Sequence, residues 1–366
     1  MSTMTNYSKI KTIWLRSESR PTERRTPLLP DGVKVLIDDG YNVVVERSDN
    51  RIISNNEYEA TGCQMVDAGG WMDPPEDAII LGLKELPEEP SVIKNAHILF
   101  AHAYKEQLGW KETLTRFKSG NADLLDIEYM TRENGTRVVA FGYRAGYMGA
   151  ALALLHWFST QSDNGSYLDN SLIPFDNADL LDDTIAKLGL NIKKPKVLII
   201  GAGGRCGAGA ADIFERHGAE ITRWDREETQ NLDRAALLDH DIMINCAFIK
   251  DKQPAFVRKE DITEGSRLSI VTDVSCDPFS DFNPVPLYDE PTSWDKAYIN
   301  VDGAGDKSID LIAIDNLPSL LPRESSEEFA ELMLPHLRVL NNRDDEPVWR
   351  AAKKSFDVAV ASMENK

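Results

Sequence analysis

The chain has 366 residues, too many for one ordinary domain and comfortable for two of about 150–200 residues each. Sixty acidic against 41 basic side chains give a formal charge of −19, which repels phosphate backbones and argues against nucleic-acid and anionic-membrane partners. Hydrophobic residues make up 42%, enough for real cores, and the four cysteines (Cys63, Cys206, Cys246, Cys276) suit a reducing compartment better than a disulfide scaffold.

The first 25 residues break the charge trend. Lys9, Lys11, Arg16, Arg20, Arg24 and Arg25 stand against Glu18 and Glu23, so 6 − 2 gives a local +4 and leaves −23 for the remainder. No apolar core follows these charges, which excludes a secretory signal, and no run approaches the roughly 20 apolar residues of a membrane span. The closing Glu364-Asn365-Lys366 matches neither a peroxisomal nor a retention signal. A cytoplasmic protein is expected.

In chain order, Val- and Ile-rich runs predict strands over Thr12–Arg16, Tyr41–Arg47, Ala78–Leu83 and Ile98–Ala103. Between the first two, Val33, Leu36 and Ile37 recur at helical spacing within Thr26–Asp39, and Gly40 stands where a helix C-terminus favours glycine. This alternation predicts a parallel sheet covered by helices. After a polar stretch, Thr160–Asp183, a second series begins. Strands are expected at Lys196–Ile200, Glu220–Trp224, Asp241–Cys246, Leu268–Val274 and Tyr298–Val301, with a helix from the glycine cluster through about Arg216. Near the end, Ser325-Ser326-Glu327-Glu328 has capping-box spacing and predicts a helix start running toward Leu340. A final helix is expected near Val348–Met363, with the terminal helices returning to the first domain.

The strongest local signal is Val197-Leu198-Ile199-Ile200-Gly201-Ala202-Gly203-Gly204-Arg205-Cys206-Gly207. Its glycines follow a buried strand and open a helix, the context in which backbone N–H groups approach a pyrophosphate. Asp225 ends the next strand, where a carboxylate can accept ribose hydroxyls and repel a 2′-phosphate. That favours NAD over NADP, although Arg226 alongside could pair with such a phosphate. In the first half, Lys84 and His102 stop two apolar runs at equivalent strand ends. Ligands of open α/β sheets bind outside such carboxyl ends, so both residues are candidates for one site.

At this point the sequence resembles the NAD-dependent, lysine-forming saccharopine dehydrogenases, with alanine dehydrogenase and transhydrogenase as wider relatives. The likeness is carried by Arg16-Ser17-Glu18 with Arg25, Gly82-Leu83-Lys84-Glu85, Phe100-Ala101-His102-Ala103-Tyr104-Lys105 and Asp126-Ile127-Glu128-Tyr129. It continues in Ala140-Phe141-Gly142-Tyr143-Arg144-Ala145-Gly146, Gly204-Arg205-Cys206-Gly207, Asp273-Val274-Ser275 and the run from Ile314 through Arg323-Glu324. The resemblance implies two Rossmann-like, doubly wound parallel-sheet α/β domains with the active site in the cleft between them. Residues 1–140 would bind substrate, joined by terminal helices 322–366, and 141–321 would bind NAD.

The implied reaction is saccharopine, NAD and water giving L-lysine, 2-oxoglutarate and NADH. Lys84 is then the base for the secondary amine, and His102 serves the hydration and carbinolamine proton transfers, a role suited to a pKa near neutrality. Glu85 and Glu128 would tune these groups. Arg25, Gln107, Arg137, Phe141, Ser275, Cys276 and Asp277 would contact substrate. The cofactor would lie against Gly201, Gly203, Gly204, Arg205, Asp225, Phe248, Val274, Ile314, Asp315, Asn316 and Leu317. Thr136 departs from a position where relatives can carry an arginine. Substrate carboxylates give the basic N-terminus a purpose, with Arg16, Arg20 and Arg25 expected as an anion-binding wall. Cys206 and Cys246 could share a sheet edge, either as free thiols or as a reversible disulfide restricting cofactor entry. No metal is expected, and a monomer is. The alternatives are a related amino-acid or opine dehydrogenase and a catalytically silent NAD-binding sensor.

Overall fold

A computed structural model describes residues 10–105, 107–161, 165–247, 249 and 253–365. The chain divides into two compact units, one of residues 1–140 with 325–366 and one of residues 141–324.

The first unit holds a six-stranded parallel sheet in the order β3-β2-β1-β4-β5-β6. Its strands are β1 (Thr12–Leu15), β2 (Asn42–Glu46), β3 (Gln64–Val66), β4 (Ala78–Leu81), β5 (His97–Leu99) and β6 (Leu124–Asp126). Helices α1 (Pro30–Asp38), α2 (Asn55–Glu59) and α3 (Trp110–Ser119) connect them. Strands β1 and β4 are buried throughout, because helices cover both faces of the sheet. The expected strand over Ile98–Ala103 is shorter than anticipated. It stops at Leu99, and His102 lies beyond it with left-handed backbone, φ +51°.

The second unit spans α4 (Gly142–Thr160), α5 (Ala178–Leu188), β7 (Lys196–Ile200), α6 (Arg205–Arg216), β8 (Glu220–Trp224), α7 (Arg226–Gln230), α8 (Arg234–Leu238), β9 (Ile242–Asn245), β10 (Ile270–Asp273), β11 (Ile299–Asp302) and β12 (Ser308–Ile312). Its sheet order is β11-β12-β10-β9-β7-β8, parallel except for β11 against β12. Helix α4 is buried on nearly every face and packs closely on α6. Glycines permit that approach, since a Cβ on Gly146 would lie 1.8 Å from the Cys206 carbonyl oxygen, and one on Gly209 2.0 Å from that of Tyr143.

The terminal helices are α9 (Pro322–Leu337) and α10 (Pro347–Glu364). The expected capping box at Ser325 is not a helix start. The helix begins a turn earlier at Pro322, a residue preorganised for a first helical position. Ser325 and Ser326 are instead buried within α9, where Ser326 Oγ accepts the Thr26 N–H at 3.0 Å. In the first unit α10 packs on α3 and β6, with Phe356 and Ala359 joining the cluster around Leu114 and Phe117. Among the described residues no helix is long and apolar enough to cross a membrane.

Candidate active site

In the first unit the strand order reverses between β1 and β4, the switch point at which open α/β sheets bind ligands. The loops leaving these strands carry Arg16-Ser17-Glu18 and Gly82-Leu83-Lys84-Glu85. Lys84 is half-buried. Glu18 accepts the N–H groups of Leu83 (2.7 Å) and Lys84 (3.0 Å). Glu23 is buried beside Arg25 in a two-pronged pair at 2.8 and 2.6 Å. Burial pushes the Glu23 carboxyl up, but Arg25, aided by the Lys84 charge, brings it below the usual range.

The anion wall expected from the charge count is therefore an interleaved network. Arg16 pairs with Glu18 at 3.1 Å, Arg20 with Glu85 at 2.9 Å and Arg25 with Glu23 at 2.6 Å. A tally of charges along the chain cannot register that pairing. Arg16 and Arg25 are both almost wholly buried.

His102 is exposed, so it is not a core histidine. The residue before it is fixed by Asp126 at the end of β6, whose carboxylate accepts Ala101 N–H at 3.3 Å and Glu128 N–H at 2.9 Å. Burial pushes Asp126 up to about 7; the Glu128 N–H opposes this and the Glu128 charge adds to it. Glu128 pairs with Lys105 at 2.7 Å and lies 3.9 Å from the half-exposed Arg137. Gln107 accepts the Lys105 N–H. A cavity of about 340 Å³ opens here, its lining including Glu85, Leu99, His102, Gln107, Trp110 and Arg116. One Glu85 carboxylate oxygen is buried and has no hydrogen-bond partner among the described residues. Thr136 is exposed in the turn before Arg137.

In the second unit the order reverses between β7 and β9, and the glycine turn sits there. Gly201 has φ +81°, and Gly204 precedes α6. A Cβ on Gly207 would lie 2.4 Å from the Gly201 carbonyl oxygen, so the third glycine of the motif is required by backbone crowding. Gly203, Gly204 and Arg205 are exposed at the positive end of α6. Asp225 is exposed one residue past β8 and accepts the Gly203 N–H at 3.1 Å. The exposed start of α6 with a carboxylate beside it fits a pyrophosphate with an adjoining ribose.

Neighbouring loops complete this sheet edge. Asp273, the buried last residue of β10, accepts Tyr288 O–H (2.8 Å), Asn245 Nδ2–H (2.9 Å) and Ser275 N–H (3.1 Å). It thereby orders Val274–Asp277, in which Cys276 takes φ +48°. Ser275 donates to the Ala247 carbonyl at 2.7 Å, and Cys276 Sγ lies 3.2 Å from the Ala313 carbonyl. Burial, with the Asp315 charge nearby, pushes the Cys276 thiol up to about 12. Ile314 and Leu317 are buried, Asp315 is exposed and Asn316 half-buried. Cys206 and Cys246 are free thiols in hydrogen-bond contact, which together with burial raises the Cys246 pKa. Phe141 is half-buried at the N-terminus of α4, and Phe248 lies outside the described residues. The described residues hold no cluster of metal-binding side chains.

Sequence reasoning missed Glu23 as Arg25's partner and gave no role to Asp126 or Asp273, although both stand in the motifs that carry the resemblance. The last two share a signal, an aspartate closing an apolar run.

Two parallel α/β units, one with a glycine turn and one with a lysine at its switch point, define a protein of Rossmann-like α/β architecture. The fold agrees with solved structures of L-alanine dehydrogenase (TM-score 0.67, 16% identity, 95% of this chain and 99% of that one) and of a transhydrogenase from Sinorhizobium meliloti (0.62, 16%, 91% and 95%). Residues 14–148 match the family described as alanine dehydrogenase/PNT, N-terminal domain. Similarity reaches 42% identity, over 96% of this chain and 98% of the relative, with the saccharopine dehydrogenase (NAD(+), L-lysine-forming) of Emericella nidulans. It is 40% over 96% and 99% with that of Schizosaccharomyces pombe, and 41% over 94% and 96% with that of Yarrowia lipolytica. The chain belongs to the family of NAD-dependent, L-lysine-forming saccharopine dehydrogenases.

Proposed function

We propose that the protein is an oxidoreductase that reversibly converts saccharopine, NAD and water to L-lysine, 2-oxoglutarate and NADH. The observation that carries this reading is Lys84, half-buried at the switch point with its main chain held by Glu18 and its charge within reach of Glu23. Family membership over nearly the whole chain supports it.

Gly201, Gly203, Gly204, Arg205, Asp225, Val274 and the 314–317 segment would hold NAD, with the positive end of α6 toward the pyrophosphate and the Asp225 carboxylate toward the ribose. NAD bound there supplies a two-electron acceptor for the glutaryl carbon that bears the secondary amine. Lys84, as free amine, takes the proton of that nitrogen. The exposed imidazole of His102 passes protons to and from the water that adds and the carbinolamine oxygen that collapses. Arg25 and Arg137 orient carboxylates, with Gln107, Phe141, Ser275, Cys276 and Asp277 as further contacts. Arg25 is neutralised by Glu23, so the substrate carboxylate shares that cation rather than meeting a bare charge. Glu85 and Glu128 tune the acid–base groups. Contact between Cys206 and Cys246 favours a thiol–disulfide switch beside the glycine turn. The protein acts as a cytoplasmic monomer on small molecules in lysine metabolism.

An absorbance assay of NADH tests the reading. Oxidation that needs both L-lysine and 2-oxoglutarate supports it. Alanine or ornithine replacing lysine points to a related dehydrogenase, and NADH binding without turnover of any amine–keto-acid pair points to a sensor.

A further inference from the structure

We infer that Arg16 and Glu18 are positioning residues, a clamp that fixes the main chain of Lys84 and thereby places its amine; this rests on Lys84 being the base. The peptide groups flanking its Cα are gripped from both sides. Glu18 accepts Leu83 N–H at 2.7 Å and Lys84 N–H at 3.0 Å. Arg16 Nη2 donates to the Lys84 carbonyl, reaches the Glu85 carbonyl at 3.4 Å, and pairs with Glu18 at 3.1 Å. Arg16 is 1% exposed, and its Nη2 is taken up by Glu18 and the Lys84 and Glu85 carbonyls, so it acts on the loop from within.

The clamp is anchored to the core. Glu46 accepts the N–H and hydroxyl of Ser17 at 2.8 and 3.1 Å, and Arg51 donates to the Arg16 carbonyl at 3.2 Å. Glu46 is itself bonded by Trp14 and by the N–H groups of Gly69 and Trp71. The strand end makes room for it. A Cβ on Gly82 would lie 2.3 Å from Arg16 Nε, so only glycine admits the guanidinium beneath this loop.

Stability alone does not account for the pair. Burying two charges costs desolvation that their attraction barely offsets, and well-packed apolar residues often serve as well. Burial indeed pushes the Glu18 carboxyl up against the pull of Arg16. An apolar pair would leave the Lys84 N–H and C=O without these partners. The ion pair therefore does at this loop what a hydrophobic pair cannot.

The test uses the full chain with Glu18→Gln, Arg16→Met and Gly82→Ala. Glu18→Gln turns an amide N–H₂ toward a backbone donor, and Gly82→Ala displaces the guanidinium without touching either clamp residue. We expect kcat to fall about 100-fold, as for a catalytic group misplaced by an ångström. The NADH Kd should stay within about twofold. Gly82→Ala added to Arg16→Met should cost little more, since both break one interaction. Folded Glu18→Gln and Gly82→Ala variants with wild-type kcat would overturn the clamp, as would additive losses in the double variant. Should Arg16→Met not fold, those two variants decide. An independent readout is the ¹³C-methyl signal of reductively methylated Lys84, assigned by its loss in Lys84→Met. Displacement of that signal in Gly82→Ala supports the clamp, and an unmoved signal overturns it, even if inactivity of the wild type had removed the functional reading.

Discussion

Lys84 and His102 hold their places by different means. Lys84 is gripped through its main chain by two buried charges, whereas His102 is exposed in a left-handed conformation uncommon for a non-glycine residue. Asp126 fixes the residue before His102 by accepting the Ala101 N–H. Replacing Lys84 by Met should lower kcat by about 10²–10⁴-fold, the span of general acid–base contributions, while the NADH Kd measured by fluorescence stays nearly intact. Unchanged turnover would remove Lys84 from the mechanism. Asp126 also makes a pH prediction. Its folded pKa is raised from 3.8 to about 7, so the folded state binds more protons than the unfolded state between those values. Stability then falls as pH rises through that window. Urea midpoints of wild type should drop relative to Asp126→Asn between pH 4 and 7; parallel curves would mean Asp126 titrates normally.

Both sites lie on loops that leave the carboxyl ends of strands, and the strand–loop junctions set the chemistry. The runs that became β1, β2, β4, β7, β9 and β10 were legible because apolar residues, Val and Ile above all, accumulate in buried strands. The three-residue edge strands β3 and β6 carry too few residues to show a period. In β12 the residues Ser308-Ile309-Asp310-Leu311-Ile312 mix polar and apolar, and the strand had not been anticipated. The glycine turn could be read together with its strand and helix. Its third glycine, Gly207, is crowded by the main chain of Gly201 and Ala202. Likewise the sequence placed Lys84 and His102 at strand ends but could not show which acids would neutralise Arg16 and Arg25. The closest helix contact gives a test at this scale. Gly146→Ala in α4 puts a methyl 1.8 Å from the Cys206 carbonyl oxygen, so the helices must separate. Overpacking of this kind costs about 1–3 kcal/mol, and thermal melts should show a clear drop in Tm. An unshifted melt would mean the α4–α6 contact is soft.

At the scale of the molecule, a −19 chain holds its buried cations Arg16 and Arg25 each against a carboxylate. The first unit is built from both ends of the chain. Arg338 of α9 bonds Asp39 at 2.7 Å, and Phe356 of α10 packs in the cluster of Phe117. Truncation before Pro347 should therefore destabilise the first unit and expose its core to protease while residues 141–324 resist; uniform resistance would mean α10 is dispensable. The central claim is that this fold oxidises saccharopine with Lys84 as base. It is tested most directly by incubating the purified chain with saccharopine and NAD and measuring NADH, L-lysine and 2-oxoglutarate together. Equimolar formation of all three, slowed about 100-fold or more in Lys84→Met without loss of NADH binding, is the predicted result. NADH binding with no lysine released, or full activity in Lys84→Met, would contradict it.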